Sequence, residues 1–524
     1  MRPPAVADPR PAPGKWTITG TVLTGTMIAV LDSSIVNVAL PNMAGTLGAT
    51  IEEITWVVTA YILANVIIMP IIGMLSAHLG RKNIYLASVV TFTLASMACG
   101  AAGSMPLIIF FRVLQGLGGG VLITVSQAIL RETFPPEEQG LAMGIYGMGV
   151  VLAPAFGPTL GGWLTDTYSW PWIFYINVPI GIINIILVQR YIFDPPYLSH
   201  DKGPIDFLGV GLLTVGLGSF QLMLEKGQEK DWFDSSFIVW LALIAAVGMA
   251  VFIWRELETD HPAVDLRLLR NRPFTAATSL GGILGMGLYG SLFILPLFLQ
   301  NNLGYPAMKS GLALMPRSLA MAVGMPLAGR FYNKVGPKLL IASGLVVSAY
   351  SFWALGQLSP DTGFWDIFIP QMWQGVGFSL LFVALSTAAL ATIERRQMTA
   401  AAGLYNVVRQ VFGSVGIAIA ATQITAGVDR SYAVLSEHVT PYDPATQHWL
   451  AAVTAGMMHR FGTDLAMARE KALALLHGSL MSQAAVIACN RVFLLIAISF
   501  ILALPLVLLI TAGDGTEAGE VMVD

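Results

Sequence analysis

The feature that most constrains this sequence is a series of fourteen apolar segments, each long enough to cross a bilayer, which takes about 20 mainly apolar residues. Hydrophobic residues make up 55% of the 524 positions and charged residues only 11%, whereas a soluble domain carries about 25% charged residues. The sequence therefore predicts an all-α membrane protein. The segments lie near residues 16–40, 54–77, 84–103, 107–129, 141–164, 172–193, 206–224, 236–254, 274–299, 311–330, 339–357, 366–390, 400–424 and 486–511.

Bulk charge and motif content exclude several classes of function. The formal net charge of −3 is close to balance for this length and indicates no nucleic-acid partner. The two cysteines, Cys99 and Cys489, lie at or in apolar segments, so we expect neither a disulfide framework nor a metal site. A phosphate-binding GxxxxGK[ST] loop and a nucleophile elbow are both missing from the sequence. We therefore expect no enzyme activity and no cofactor.

The distribution of Lys and Arg predicts the orientation, because cationic short loops stay in the cytoplasm. The short loops on the side of the N-terminus carry most of these residues, whereas those opposite carry only Lys226, Lys230 and Lys309. Both termini are therefore predicted to be cytoplasmic, with tails at 1–15 and 512–524. The loop at 425–485 does not enter this comparison, since long loops translocate largely regardless of charge.

That loop is predicted to be the one sizeable element outside the membrane. Its segment FGTDLAMAREKALALLHGSL has Thr463 or Asp464 as an N-cap and apolar residues at helical spacing, which is typical of an amphipathic helix. Two interpretations stay open: the helix docks a partner, or it folds back on the outer membrane surface.

Internal repeats divide the chain. RVLQGLG at 112–118 recurs as QMWQGVG at 371–377, and AMGIYG at 142–147 recurs as AAGLYN at 401–406, both 259 positions later. The turn GMLSAHLGRK at 73–82 is echoed by GRFYNKVGPK 256 positions later. Repeats of this kind are typical of transporters. They predict two six-helix bundles, at 16–193 and 274–511, with a linker at 194–273 that carries two inserted helices.

Asp32 is the only acidic residue that we place well inside an apolar segment. About 16 residues, or roughly 24 Å of helix, separate it from the start of that segment, which places it in the outer half of the membrane. A carboxylate at such a depth is costly and marks a functional site by default. Burial disfavours its charged form, so it could hold a proton, or it could be locked to a cation on a neighbouring helix. An offset of 255, which overlays Pro41 on Pro296, pairs Asp32 with Gly287.

Arg112 lies at a similar depth, about 7 residues or roughly 10 Å into the fourth segment. We expect it to pair with backbone carbonyls, Gln115 or Asp32, either as a structural hub or with a direct part in function. Arg409 is placed near the midplane, where it contacts substrate and favours anions, or pairs with Asn406 and helix ends. Arg317 and Arg491 lie nearer the outer ends and are expected to snorkel.

Seven motifs along the chain together point to one known family: LDSSIVNVALP, GMLSAHLGRK, RVLQGLGGG, GPTLGGW, WPWIFYINVPIG, KDWF and PAVDLRLLRNRPF. On these motifs, over nearly its whole length, the chain resembles the 14-helix drug/proton antiporters of the major facilitator superfamily, most closely the EmrB type. One departure is Ala77, where the family's turn carries an acidic residue.

The resemblance implies alternating access between two bundles, export of lipophilic compounds and proton influx as the energy source. The depth of Asp32 and Arg112 in the membrane predicts that these two residues are the proton-coupling pair. A substrate cavity is predicted to include Ser33, Asn37, Gln115, Tyr289, Gln374, Asn406 and Arg409. Conformational motifs are assigned to Gly73, Gly80, Arg81, Lys82, Pro154, Gly157, Pro158, Gly161 and Gly162.

The leading interpretation is therefore a proton-coupled exporter of drugs or other amphipathic toxic compounds in a bacterial inner membrane. If the resemblance is complete, the outer loop meets a periplasmic adaptor that joins an outer-membrane channel. Two alternatives stay open: an exporter of one native metabolite, such as a fatty acid, bile salt, siderophore or peptide, and a membrane sensor that binds without transport.

Overall fold

The computed structural model describes residues 14–194, 204–462 and 464–510, and within them it forms helices and no strand. Fourteen helical stretches in these residues are long and apolar enough to cross a membrane, as predicted. Most of both predicted tails and Thr463 lie outside the described residues. The α-helices are α1 Lys15–Leu47, α2 Ile51–Ile54, α3 Trp56–Leu79, α4 Arg81–Ala101, α5 Met105–Thr133, α6 Gln139–Thr167, α7 Trp172–Tyr175, α8 Asn177–Tyr191, α9 Phe207–Lys226, α10 Ser236–Glu258, α11 Arg272–Asn301, α12 Ala307–Val335, α13 Pro337–Leu355, α14 Phe364–Ala389, α15 Met398–Glu437, α16 Pro444–Phe461 and α17 Leu465–Leu502.

The long helices pack as two groups, which we call the first half (α1–α8) and the second half (α11–α17). In the first half α1 packs on α5, α6 and α8, while α5 also packs on α3 and α4. In the second half α11 packs on α14 and α15, and α14 on α12 and α13. The halves meet where α6 packs on α12 and α3 packs on α15.

The inserted helices α9 and α10 pack on each other, and α9 also touches both halves. Its Gln221 Nε2 donates to Ser414 Oγ of α15 at 2.6 Å. Five residues on, Lys226 Nζ donates to Thr55 Oγ1, which precedes α3, at 2.8 Å. We call the interface between the halves, formed by α3, α6, α12 and α15, the seam. The helix α9 therefore bridges the seam.

Close contacts between the halves cluster at one end, which we call the basic end because Arg81 and Lys82 lie there. A Cβ added to Gly73 of α3 would lie 2.5 Å from the Cβ of Ala400 in α15. On the other side of the seam, a Cβ added to Gly329 of α12 would lie 2.3 Å from the carbonyl oxygen of Gly140 in α6. Glycine thus lets the backbones of the two halves approach, and the basic end is closed.

The outer loop differs from its predicted form. Asp464 caps α17 by accepting a hydrogen bond from Met467 N at 2.9 Å, which confirms the helix start. The helix then runs without a break into the last apolar segment, so the interpretation of a helix folded back on the membrane surface is wrong. The helix α15 likewise continues to Glu437. Its 40 residues span roughly 60 Å, about twice the hydrocarbon thickness of a bilayer, and α16 packs on α17. We call α16 and the outer ends of α15 and α17 the helical hairpin.

Candidate functional site

The carboxylate of Asp32 lies inside the first half and has no exposed surface. Its Oδ2 forms an ion pair with Arg112 Nη1 from α5. Its Oδ1 accepts hydrogen bonds from Gln115 Nε2 of α5 and from Asn177 Nδ2 of α8, both at 2.8 Å. Three side chains from two other helices therefore donate hydrogen bonds to this carboxylate, away from water.

Arg112 is held as firmly as its partner. Its Nε donates to the carbonyl oxygen of Val57 at 2.9 Å, and its Nη1 also donates to Gln115 Oε1 at 2.9 Å. The guanidinium lies over the ring of Tyr61, 4.3 Å from its centroid. The predicted partners, a backbone carbonyl, Gln115 and Asp32, are thus all confirmed.

Asn177 is the member of this network that sequence reasoning missed. It also donates to Ser96 Oγ of α4 at 3.1 Å, which ties a fourth helix to the Asp32 carboxylate. Asn177 begins α8 directly after the short α7. The sequence indicates this residue in the segment WPWIFYINVPIG, because Asn177 is the one amide side chain among mainly apolar residues there.

A related cluster lies in the second half. Gln374 Oε1 accepts hydrogen bonds from Ser291 Oγ at 3.3 Å and from Gln371 Nε2 at 3.1 Å. The offset of 259 positions maps Ser291, Gln371 and Gln374 onto Asp32, Arg112 and Gln115. The prediction that Gly287 is the counterpart of Asp32 is therefore wrong, and the counterpart is Ser291.

Arg317 of α12 joins this second cluster. Its Nη1 donates to Ser291 Oγ at 2.6 Å and to Gln374 Oε1 at 3.5 Å. Only 3% of its surface is exposed. The expectation that Arg317 snorkels to the outer surface is therefore wrong, because its side chain points into the second half. Arg491, in contrast, is exposed.

The seam between the halves carries further polar groups. Asn406 Nδ2 of α15 donates to Gln127 Oε1 of α5 at 2.7 Å. Arg409, one turn further along α15, is half-buried and lies over the rings of Phe382 and Tyr405, with centroids at 5.1 and 5.8 Å. Its Nη1 has no hydrogen-bond partner among the described residues. The predicted pairing of Arg409 with Asn406 does not form.

The other residues predicted for a cavity are dispersed. Ser33 Oγ donates to the carbonyl oxygen of Val30 at 2.7 Å, and the exposed Asn37 donates to the carbonyl oxygen of Ser33. Tyr289 hydroxyl donates to Gln410 Oε1 at 3.2 Å. Gln115 and Gln374 have no exposed surface, so we assign both to the buried clusters rather than to a cavity wall.

The Pro and Gly residues of α6 bring it close to α1. Pro158 lacks the N–H that would bind the carbonyl of Pro154, and Ser34 Oγ of α1 donates to that carbonyl at 3.1 Å. A Cβ added to Gly157 would lie 2.2 Å from Ser34 Oγ, and one added to Gly161 would lie 2.8 Å from Ile35 O. A Cβ added to Gly162 would make only an ordinary contact, with Val38 at 3.8 Å.

The turn between α3 and α4 forms a charged link despite the departure at Ala77. Arg81 Nη1 forms an ion pair with Glu132 of α5, while its Nη2 donates across the seam to the carbonyl oxygen of Arg395 at 3.0 Å. Asp194 accepts from the backbone N–H of Lys82 at 2.9 Å. Gly80 has φ 83° and ψ 152°, a conformation that is essentially limited to glycine.

Two further acidic residues are buried or partly buried near the ends of the inserted helices. Glu256 of α10 has no exposed surface and accepts from Val264 N at 3.0 Å. Glu225 of α9 is partly buried and accepts from Gln221 Nε2 at 3.0 Å. Both lie just beyond the predicted segment ends, which is why sequence reasoning left them in loops.

Comparison with known proteins agrees with this architecture. A sequence model of the Major Facilitator Superfamily matches residues 22–417. The chain is 36% identical over 481 residues to the "Fatty acid resistance protein FarB" of Neisseria gonorrhoeae, covering 91% of this chain and 92% of that one. It is 35% identical over 483 residues to the "Multidrug export protein EmrB" of Escherichia coli K12, covering 92% of each.

Solved structures with little sequence identity share the fold. The human organic anion transporter MFSD10 matches with a TM-score of 0.61 at 13% identity, covering 95% of this chain and 100% of that chain. A double Trp mutant of XylE matches with a TM-score of 0.59 at 12% identity, covering 94% of each.

Proposed function

This chain belongs to the Major Facilitator Superfamily, and we propose that it is a proton-driven exporter of drugs or other amphipathic toxic compounds. Relatives that align over nine-tenths of the chain are named for multidrug export and fatty acid resistance. The observation that carries the proton coupling is the buried Asp32 carboxylate, whose charge is balanced by Arg112 within the membrane-spanning helices.

Protonation of Asp32 has a defined structural consequence. A neutral carboxyl gives up most of its attraction to Arg112, and a buried guanidinium without a counter-charge is strongly unfavourable. The α1, α5 and α8 side chains around it must then rearrange. Because α1 also packs on α6, which meets the second half at the seam, such a rearrangement can change how the halves pack.

We further propose that the basic end faces the cytoplasm of a bacterial cell, with both termini on that side. The described contacts that close this end then define a state with its cytoplasmic side sealed. Proton binding from outside and substrate binding from inside would alternate through opening and closing of the seam. The cationic loops support this orientation, because such loops are retained in the cytoplasm.

The coupling is tested in inside-out vesicles with an acidic lumen and a pH-sensitive dye trapped inside. Addition of ethidium or dodecanoate to the wild type should release protons from the lumen as the compound enters. Asp32→Asn should reduce this proton release to background, while exchange of labelled for unlabelled compound across the vesicle continues. Asp166→Asn, which alters an exposed carboxylate on α6, is the matched control and should behave as wild type.

Asp32→Asn also leaves Arg112 without a counter-charge, so a second variant combines Asp32→Asn with Arg112→Gln in one chain. This double variant should fold, exchange substrate and release no protons. Proton release that persists in either variant would refute coupling at Asp32. If exchange is lost together with proton release in both variants, the residue has a purely structural role.

A narrower alternative is export of a single amphipathic acid. Two observations favour it: Arg409 at the seam has an Nη1 with no partner in the described part of the chain, and one relative is named for fatty acid resistance. The same vesicles decide between the two, since a specific exporter responds to dodecanoate and not to ethidium.

We also propose that the helical hairpin binds a periplasmic adaptor of a tripartite pump. Replacement of α16 with a Gly/Ser linker leaves α15 and α17 intact and tests this directly. Adaptor co-purification should be lost while vesicle transport remains. Unchanged adaptor capture would exclude α16 as the contact.

A further inference from the structure

The cluster around Arg317 carries a buried positive charge with no acidic partner among the described residues. Arg317 is 3% exposed, and its hydrogen bonds to the described residues go to the neutral Ser291 and Gln374. Both hydrogen bonds start from Nη1. A buried guanidinium is normally stabilised by a carboxylate, because desolvating an unpaired charge costs several kcal/mol.

The repeat shows what is missing from this cluster. In the first half Gln115 and Arg112 both bind the carboxylate of Asp32. In the second half Arg317 donates to the hydroxyl of Ser291, which occupies the position of Asp32, and that hydroxyl donates to Gln374 Oε1. Both clusters therefore contain a cation and a glutamine, whereas the described residues supply no anionic group to the second cluster.

Gln374 gives a second, independent indication of a ligand. Its side chain has no exposed surface, yet its Nε2 has no hydrogen-bond acceptor among the described residues. Buried amide N–H groups are almost always satisfied in native proteins. An N–H donor without an acceptor, on the residue that Arg317 contacts, is what an anion-binding cluster requires.

We propose that the second half binds one singly charged anion, a halide or a carboxylate, at Arg317, Ser291 and Gln374. The bound anion takes the place that the Asp32 side chain fills in the first half. It neutralises Arg317 and accepts the free N–H of Gln374. Arg317 and Gln374 each lie 10 residues from the outer end of their helices, roughly 15 Å deep.

The anion can come from two sources, a free ion in solution or the carboxylate of a transported amphipathic acid. Both present a single negative charge to Arg317. Anion binding at this site does not depend on proton coupling at Asp32, so the test of the site and the test of the proposed function can fail independently.

The test measures the thermal unfolding midpoint of the full chain in lipid nanodiscs while sodium chloride, acetate or dodecanoate is titrated. A ligand that binds only the folded state raises this midpoint in a saturable way. The wild type should show the rise. Ser291→Asp should lose it, because its own carboxylate neutralises Arg317, and Arg317→Gln should lose it because the cation is gone.

The titrations distinguish a free ion from an amphipathic acid, and both from the absence of an anion site. A saturable rise with chloride and acetate that dodecanoate does not exceed identifies a free ion. Tighter binding of dodecanoate, competed by acetate, identifies the acid group of an amphipathic compound. A folded Ser291→Asp that keeps the wild-type response, or a wild type that responds no more than Arg317→Gln, would overturn the proposal.

Discussion

The two halves place polar clusters at matching positions but differ in charge. The first cluster contains its own acid and base, Asp32 and Arg112, and is neutral as a unit. In the second, Ser291 and Gln371 take those positions, and Arg317 supplies a cation from a different helix. The repeat thus preserves the positions of the hydrogen-bonding residues, whereas the charged residues differ between the two halves. The following substitutions make one half more like the other.

The largest effect on stability should come from Arg112→Gln, which gives the first half the residue that the second half has at Gln371. It leaves Asp32 buried without its counter-charge, and breaking such a pair by removing one partner costs about 3–5 kcal/mol. Thermal unfolding in nanodiscs should show a large drop in midpoint. Gln371→Leu removes one neutral hydrogen bond and should cost only about 1 kcal/mol.

Combining Arg112→Gln with Asp32→Asn should recover most of the lost stability, because no unpaired charge remains. Equal loss in the single and double variants would show that the hydrogen bonds of Arg112 to Val57 and its contact with Tyr61, rather than the ion pair, hold the first half together.

A smaller effect should follow from Gly73→Val or Gly329→Val, the two equivalent glycines at which the halves touch. Added side chains would overlap Ala400 in one case and Gly140 in the other, and such overpacking costs typically about 1–3 kcal/mol. The closed basic end should therefore become less populated. Faster hydrogen exchange in the first turns of α15 measures this.

Gly20→Val is the control for these two variants, since a Cβ added at Gly20 meets nothing within 4 Å. Exchange rates that rise equally in all three variants would mean that valine acts through helix propensity rather than at the seam.

The smallest difference is expected between the turns of the two halves. Gly80 and Gly336 have almost the same conformation, with φ 83° and 85°, so alanine at either position costs of order 1–3 kcal/mol in backbone strain. Gly80→Ala should cost more than Gly336→Ala, because its Cβ would lie 2.6 Å from Asp194 Oδ2, whereas Gly336 faces open space. Equal unfolding midpoints would contradict a role for Asp194 in packing this turn.

Sequence patterns predicted the fourteen helices and the partners of Arg112 because both follow from strong local physics. Long apolar runs are dictated by bilayer thickness, and a buried guanidinium must find acceptors nearby. The recurrence of RVLQGLG as QMWQGVG aligned Gln371 with Arg112, whereas Gln374, predicted for the substrate cavity, lies in a buried cluster. Arg491 is exposed, but it lies within α17, which continues past it in both directions.

Other features depended on information that no local pattern holds. The overlay of Pro41 on Pro296 gave the wrong register, because a proline kink marks helix shape and not the residues that share contacts. Arg317 was misplaced since sequence gives its depth but not the helix face on which it lies. The outer loop was misjudged because helices α15 and α17 continue through polar sequence once tertiary contacts support them.

The length of α15 has a mechanical consequence. A single unbroken helix runs from Ala400 and Gly403, where the second half presses on α3, to Glu437 in the helical hairpin. This helix therefore connects the closed basic end directly to the helical hairpin. A protein that binds the hairpin would move the contacts at the basic end without touching any transported molecule.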